Sequence, residues 1–241
     1  MDAEVYRHLY EREDAHWWFR GRRAVIWALL AHAGVPEQPR ILDAGCGTGR
    51  NLVEYAALGD IRGVDPSPDA IEFCRMRGLD AVEQAGLEAL PFPDASFDLI
   101  LATDVIEHIE RDGDALRELR RVAAPGARLL LTVPAYMWLW SRHDDTHHHK
   151  RRYTARRLRR DVLAAGWRPF FQSYFNSVLL GPIALVRALT REDGGHSDYE
   201  LTPGPLNVLL ELPMRAEAAL IARGGRLPAG VSIGMVCVAA P

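Results

Sequence analysis

The feature that most constrains this chain is an apolar strand that breaks into alternating glycines: Ile41-Leu42-Asp43-Ala44-Gly45-Cys46-Gly47-Thr48-Gly49-Arg50. Glycine at such positions lets the backbone take positive φ values and come close to a ligand. The turn sits between a strand-like segment and a helix-like one, which is where an open α/β sheet holds its ligands. Three glycines alternating in one such turn argue against a tight turn with no ligand. A second carboxylate, Asp65, lies 22 residues after Asp43 at the predicted tip of the next strand. A carboxylate there can accept both ribose hydroxyls of an adenosine.

The surrounding sequence supplies a sheet for that turn. Val25, Ile26, Leu29 and Leu30 recur at helical spacing within 20–33, and Gly34 and Pro36 end that helix. Apolar runs predict strands over 40–43, 61–64, 81–84, 97–102, 128–133, 170–175 and 231–239. Helices are predicted over 51–58, 66–77, 114–122 and 154–165, the last capped by Thr154 and closed by Gly166. Pro125-Gly126 reads as a turn ahead of the fifth strand. Strands alternating with helices imply an α/β fold with a doubly wound, mostly parallel seven-stranded sheet. A helical lid is expected before that sheet and a helical insertion before its last strand. The expected organisation is one domain over 1–241: lid 1–36, cofactor-binding core 37–175, insertion 176–230 and last strand 231–241.

The insertion holds two apolar stretches, 176–189 and 205–222, on either side of a polar link at 192–200. Pro182, Pro205 and Pro213 are expected to kink or start its helices. Leu179, Leu180, Ile183, Leu185, Val186 and Leu189 predict a cap over an apolar pocket; a peripheral membrane contact is the competing reading.

A formal net charge of -3 over 241 residues argues against a dedicated nucleic-acid binder. Cys46, Cys74 and Cys237 are isolated, which implies a reducing compartment and no disulfide framework. No stretch reads as a signal peptide or a membrane span, so a cytoplasmic protein is expected.

Spacing alone leaves two cofactors open. A dinucleotide site prefers G-x-G-x-x-G with a pyrophosphate over the helix N-terminus. Here the order is G-x-G-x-G with Asp43 just before it, which better suits the cationic amino-acid end of a methyl donor. Leu42-Asp43-Ala44-Gly45-Cys46-Gly47-Thr48-Gly49 resembles motif I of the class I S-adenosylmethionine methyltransferases. Gly63-Val64-Asp65-Pro66-Ser67 resembles their second motif. Leu90-Pro91-Phe92-Pro93-Asp94-Ala95-Ser96-Phe97-Asp98 and Asp104-Val105-Ile106-Glu107-His108 are similar to the stretches around their fourth strand. The likeness covers about residues 15–170 and is to the small-molecule subgroup. It implies a Rossmann-like fold, S-adenosylmethionine as cofactor with S-adenosylhomocysteine as product, and in-line methyl transfer to O, N or C of a small organic acceptor.

By position, the resemblance assigns Asp43, Gly45 and Gly47 to the methionine part, Asp65 to the ribose, Leu87 to the adenine and Thr103 to the sulfonium end. Where many relatives carry an Asp for the adenine amino group, this chain has Gly86, which leaves that role to backbone groups or Glu88. The alternatives are a non-catalytic regulator or scaffold that binds the same cofactor, and an NAD-linked oxidoreductase.

Two further segments carry chemistry. In His16-Trp17-Trp18-Phe19-Arg20-Gly21-Arg22-Arg23, Trp18 could cover the cofactor and Arg22 could pair with its carboxylate. After the fifth strand, His143, Asp144, His149, Arg151, Arg152 and Tyr153 match a pattern frequent in the resembling subgroup. This stretch reads as catalytic, as metal-binding or as structural. His143, His149 and, from the fourth strand, His108 are the candidate proton acceptors. Methyl transfer requires no metal, and none is expected. The seven basic residues within 150–160 read as a solvated helix face opposite an apolar stripe of Leu158, Val162 and Leu163.

Overall fold

In the computed structural model, which describes residues 3–189 and 206–240, the apolar runs form β1 (Arg40–Ala44), β2 (Asp60–Asp65), β3 (Val82–Gln84), β4 (Phe97–Thr103), β5 (Ala123–Pro134), β6 (Trp167–Phe175) and β7 (Ser232–Ala239). They make one sheet in the order β3-β2-β1-β4-β5-β7-β6. The first five strands pair in parallel, and β7 inserts antiparallel between β5 and β6. The chain runs outward from β1 to one side and returns at β4 to build the other. The crevice beyond the carboxyl ends of β1 and β4 is therefore the switch point, where such sheets bind ligands. Leu99–Leu101 and Leu129–Leu131 are fully buried, as expected of strands covered on both faces.

The helices are α1 (Ala3–Arg12), α2 (Trp17–Ala33), α3 (Arg50–Tyr55), α4 (Pro68–Met76), α5 (Asp112–Val122), α6 (Arg142–Thr146), α7 (Ala155–Ala164), α8 (Leu180–Leu189) and α9 (Leu206–Ala222). One core joins Leu116 and Leu119 of α5 and Leu158 and Val162 of α7 to the sheet. The other joins Val25, Ile26 and Leu29 of α2 and Met214 and Ile221 of α9 to its opposite face. Helix α2 begins at Trp17 because the His16 side chain accepts from Trp18 N, and it stops at Gly34, which takes the left-handed φ of 59°. Helices α2 and α9 cross at a glycine: a Cβ on Gly21 would lie 2.8 Å from Met214 Cβ.

Several boundaries depart from the sequence reading. Helix α1 was not anticipated as a separate element; its one buried side chain is Tyr6, so its sequence shows almost no apolar stripe. The helix expected over 51–58 closes at Tyr55 and continues as one 3₁₀ turn, Ala56–Leu58. Strand β5 starts at Ala123, ahead of the expected turn. Ala123 pairs with Phe97, and a register irregularity then accommodates Pro125-Gly126. Leu163 is 48% exposed, so the buried stripe of α7 is Leu158 and Val162 alone. Pro213 lies inside α9 without ending it. The link at 192–200 falls outside the described residues. No helix among the described residues is long and apolar enough to cross a membrane.

The α2–α9 crossing gives a stability test. Gly21→Val would drive a Cβ and two methyl groups into Met214, a clash that outweighs the small gain in helix propensity over glycine. It should cost about 1–3 kcal/mol, read as a lowered midpoint in chemical denaturation. An unchanged midpoint would show that α9 is not held against α2 at this point.

Candidate active site

The glycine turn sets the geometry of the crevice. Gly45, Gly47 and Gly49 have φ values of 81°, 54° and 82°. A Cβ on Gly45 would lie 2.4 Å from Val105, while one on Gly47 would meet nothing within 4 Å. The turn thus packs on one side and opens on the other. Gly45 N and Cys46 N donate to Val64 O at 2.8 and 2.9 Å, which ties the turn to β2. Beneath it Asp43 is 0% exposed. Asn51 donates to its Oδ1 at 3.3 Å and to Thr103 Oγ1 at 3.1 Å, whereas Oδ2 has no hydrogen-bond partner among the described residues. Burial pushes the Asp43 carboxyl up to about 7, against the pull of Asn51 and the Arg22 charge.

The N-terminal segment latches over this turn. Thr48 Oγ1 donates to Glu13 Oε1 at 2.6 Å, and Arg77 pairs with the same carboxylate. Arg22 Nη2 donates to Thr103 O at 2.8 Å, and its Nε lies 2.5 Å from Asp104 Oδ2. Trp17 N donates to Asn207 Oδ1 at 2.7 Å, which joins the segment to the start of α9. Trp18 stacks on Phe175, with 6.2 Å between ring centroids.

The wall opposite comes from the chain after β4 and β5. Asp104 and Tyr136, at the ends of those strands, both have φ of 58°, and Asn176 after β6 has 56°. Left-handed backbone at three strand tips, one of them a tyrosine, marks a constrained edge of the kind found at functional sites. Ser141 caps the short α6 through a reciprocal pairing with Asp144. Asp144 is 0% exposed and accepts from Arg152 Nε at 2.8 Å and Nη2 at 2.9 Å. His149 Nδ1 lies 2.8 Å from Asp144 Oδ1. Burial alone would raise the Asp144 pKa, but the bonds from His149 and Arg152 outweigh it and hold the carboxyl well below the usual range. Burial, with the neighbouring histidines, pulls His108 down to about 3 and His143 well below 6.5, so both imidazoles are neutral.

A cavity of about 490 Å³ joins these walls, within the span of roughly 300–1,000 Å³ usual for small-molecule sites. Trp18, Arg22, Gly45, Gly47 and Thr103 line one end, and His108, His143 and His149 line another. Leu179, Ile183 and Val186 of the insertion and Leu210 of α9 add an apolar side. Asp43, Asp65 and Leu87 are not on its surface. Leu87 is 2% exposed within the core. Asp65 accepts from Gly47 N on Oδ2, and from Ser67 N and the Tyr6 hydroxyl on Oδ1. Oδ2 keeps capacity for one more donor, while Tyr6 stands where a second ribose hydroxyl would donate. Sequence reasoning did not single out Glu107, Asn51, His147, Glu13 or Tyr6. Glu107 carried a signal, since it adjoins His108 in the fourth-strand motif; Tyr6 and Glu13 carried none.

A doubly wound sheet with a glycine turn, two strand-tip carboxylates and a cavity at its switch point defines an α/β protein that binds an adenosine-containing cofactor. A family profile described as methyltransferase domain matches residues 42–131. Over that stretch the chain is similar to S-adenosylmethionine-dependent methyltransferases, which favours the methyl donor in the choice left open by glycine spacing. It is 33% identical over 133 residues to ajmaline N-methyltransferase of Rauvolfia serpentina, covering 46% of this chain and 44% of that protein. It is 38% identical over 107 residues to the malonyl-[acyl-carrier protein] O-methyltransferase of Erwinia pyrifoliae, covering 44% and 41%. The matched region thus spans less than half the length of either relative. A structure of the complex between the Haloferax volcanii Trm112 methyltransferase activator and a methyltransferase aligns with a TM-score of 0.63 at 20% identity, covering 99% of this chain and 96% of that one.

The residues fit S-adenosylmethionine, the cofactor of the methyltransferases it resembles, at its methionine end. The unpartnered Oδ2 of Asp43 suits an ammonium group, and the open side of Gly47 leaves room for it. This gives a pH signature. Only ionised Asp43 attracts a cation, so S-adenosylhomocysteine should bind more tightly as pH rises through about 7. In Asp43→Asn that pH dependence should vanish, with affinity above this pH about 10–100-fold weaker. Isothermal titration across the range checks both, and a flat wild-type profile would remove Asp43 from cofactor binding.

Proposed function

We propose that this chain transfers a methyl group from S-adenosylmethionine to a small, partly apolar acceptor. One observation carries the reading: a single cavity joins the glycine turn, the histidine cluster and the apolar face of the insertion. When bound, the cofactor supplies a methyl group already activated by its sulfonium. Asp43, Gly45 and Gly47 hold its methionine end, and Arg22, which lines the cavity, pairs with the carboxylate. Asp65, at the tip of β2, has acceptor capacity left on Oδ2 for one ribose hydroxyl, and Leu87 supports the adenine end from within the core. Trp18 covers the cavity beside Thr103, excluding water. The apolar side chains of α8 and α9 orient the acceptor, and such alignment is the main source of rate in a displacement of this kind. His143, kept neutral by burial, accepts the acceptor's proton.

The test is transfer of a labelled methyl group to a panel of phenols, alcohols and amines. His143→Gln should lower kcat by about 10²–10⁴-fold while S-adenosylhomocysteine affinity stays within about twofold. In the wild type, kcat/KM should fall as His143 protonates, with that acid limb below 6.5, and the limb should be absent in His143→Gln. Binding of S-adenosylhomocysteine that neither Asp43→Asn nor Asp65→Ala weakens would sink the reading.

A further inference from the structure

The end of β4 and the histidine loop bring together a second set of groups that cofactor binding does not use. The donor atoms of Glu107, His108 and His149 all lie within 4.8 Å of one another, on the wall of the cavity. Glu107 is 0% exposed, and among the described residues neither of its carboxylate oxygens has a hydrogen-bond partner in another residue. A carboxylate buried in this way is costly unless a cation meets it.

The two imidazoles are fixed from behind. His149 Nδ1 lies 2.8 Å from Asp144, whose charge is held by Arg152. Nδ1 therefore carries the proton, and Nε2 keeps its lone pair. A carboxylate behind a histidine is the usual support of a metal-ligating imidazole. The His108 ring is hydrogen-bonded to the His147 backbone and stands at 82° to the His149 ring, with 4.6 Å between centroids. Lys150 N donates to Glu107 O at 2.7 Å, so the loop bearing His149 is pinned to the segment bearing the other two groups.

We propose that Glu107, His108 and His149 bind one divalent transition-metal ion, with an open coordination position facing the cavity. Two neutral imidazoles and a carboxylate form a donor set for Zn²⁺ or a similar first-row ion, not for Ca²⁺ or Mg²⁺. Ligands about 2.1 Å from a tetrahedral ion stand about 3.4 Å apart, so small side-chain rotations complete the set. The proposal departs from the sequence-based expectation of no metal, and its ligands come from two segments far apart in the chain.

One consequence rests on the methyl-transfer reading. An acceptor hydroxyl at the open position would be more acidic than in water. Its proton passes to His143. The O–CH₃ bond then forms as the S–CH₃ bond breaks, and that electron pair leaves on sulfur. The site would therefore favour alcohol or phenol acceptors over amines.

Titration of untagged, chelator-treated protein with Zn²⁺ tests the site directly, with S-adenosylhomocysteine titrated in parallel. The wild type should bind one equivalent of Zn²⁺ and melt at a higher temperature with it. Glu107→Gln and His149→Asn should weaken Zn²⁺ by at least about 100-fold, and Asp144→Asn, which acts through His149, by about 10–100-fold. His148→Ala, on an exposed position of the same loop, should bind as the wild type does. Glu107→Gln removes a buried charge at nearly constant shape, so its metal-free melting point should not fall. Lost binding in that variant then reports a lost ligand and not an unfolded chain. No saturable Zn²⁺ in the wild type, or equal binding by Glu107→Gln, overturns the proposal. S-adenosylhomocysteine binding without Zn²⁺ would remove the metal site alone, and Zn²⁺ binding without S-adenosylhomocysteine would remove the cofactor reading alone.

Discussion

Carboxylates buried at the carboxyl edge of the sheet govern this structure. Asp43, Glu107 and Asp144 are each 0% exposed, and Asp65 is 4% exposed. A buried carboxylate is tolerated only with donors or a cation, so each one fixes what must stand beside it. Asp144 has a full complement from within the chain: Arg152, His149 and the Ser141 backbone. That set shapes the loop after β5 and aims its histidines at the cavity. Asp65 is satisfied by two backbone amides and the Tyr6 hydroxyl. Asp43 and Glu107 are left short, with oxygens that no other described residue meets. Glu107 lines the cavity, and Asp43 lies beneath the glycine turn that borders it.

The elements added to the sheet act on the same edge. Glu13 ties the end of α1 to Thr48 in the glycine turn and to Arg77 beyond α4. Asn207 receives Trp17 N and donates to the Ala15 carbonyl, so the start of α9 is fastened to the aromatic segment. Arg187 of α8 donates to Leu139 O at 2.7 Å, which brings the insertion against the loop after β5. These contacts are polar and few, whereas α2 and the second half of α9 are anchored by Met214 and Ile221 in the core. Local stability follows buried apolar contact. The cover is thus held more loosely than the sheet beneath it, as entry of a cofactor and an acceptor requires.

How much of this was legible in the sequence follows from what each signal depends on. The strands and the glycine turn were legible because burial on both faces imposes continuous apolar runs, and positive φ imposes glycine. Helix α1 was not, because it buries only Tyr6 and so lacks a periodic stripe. Leu163 was placed on the buried stripe by periodicity, but the face of a ten-residue helix is narrower than its apolar sequence suggested. At the site, the histidines were legible as residue types, and their partners were not. Asp144 and Arg152 are eight positions apart, and nothing in their spacing shows that they form a buried bidentate pair. Glu107 stood in a motif beside His108, but only the fold shows that its carboxylate is enclosed and unmet.

The unmet carboxylates also set a conflict between folding and ligand capture. Burial raises the pKa of Asp43 and Glu107, so the folded chain holds protons that the unfolded chain releases. Stability contributed by these groups is present at low pH and is lost as pH rises, for Asp43 between its ordinary 3.8 and about 7. Asp144 works the other way: its depressed pKa contributes stability above the ordinary carboxylate range and loses it on acidification. Asp144 is thus stabilising where Asp43 and Glu107 are not. A cation at Asp43 or Glu107 binds the ionised form, and so offsets the cost that the ligand-free fold carries near neutral pH. An internal lysine or arginine beside either carboxylate would make the fold more stable near neutral pH.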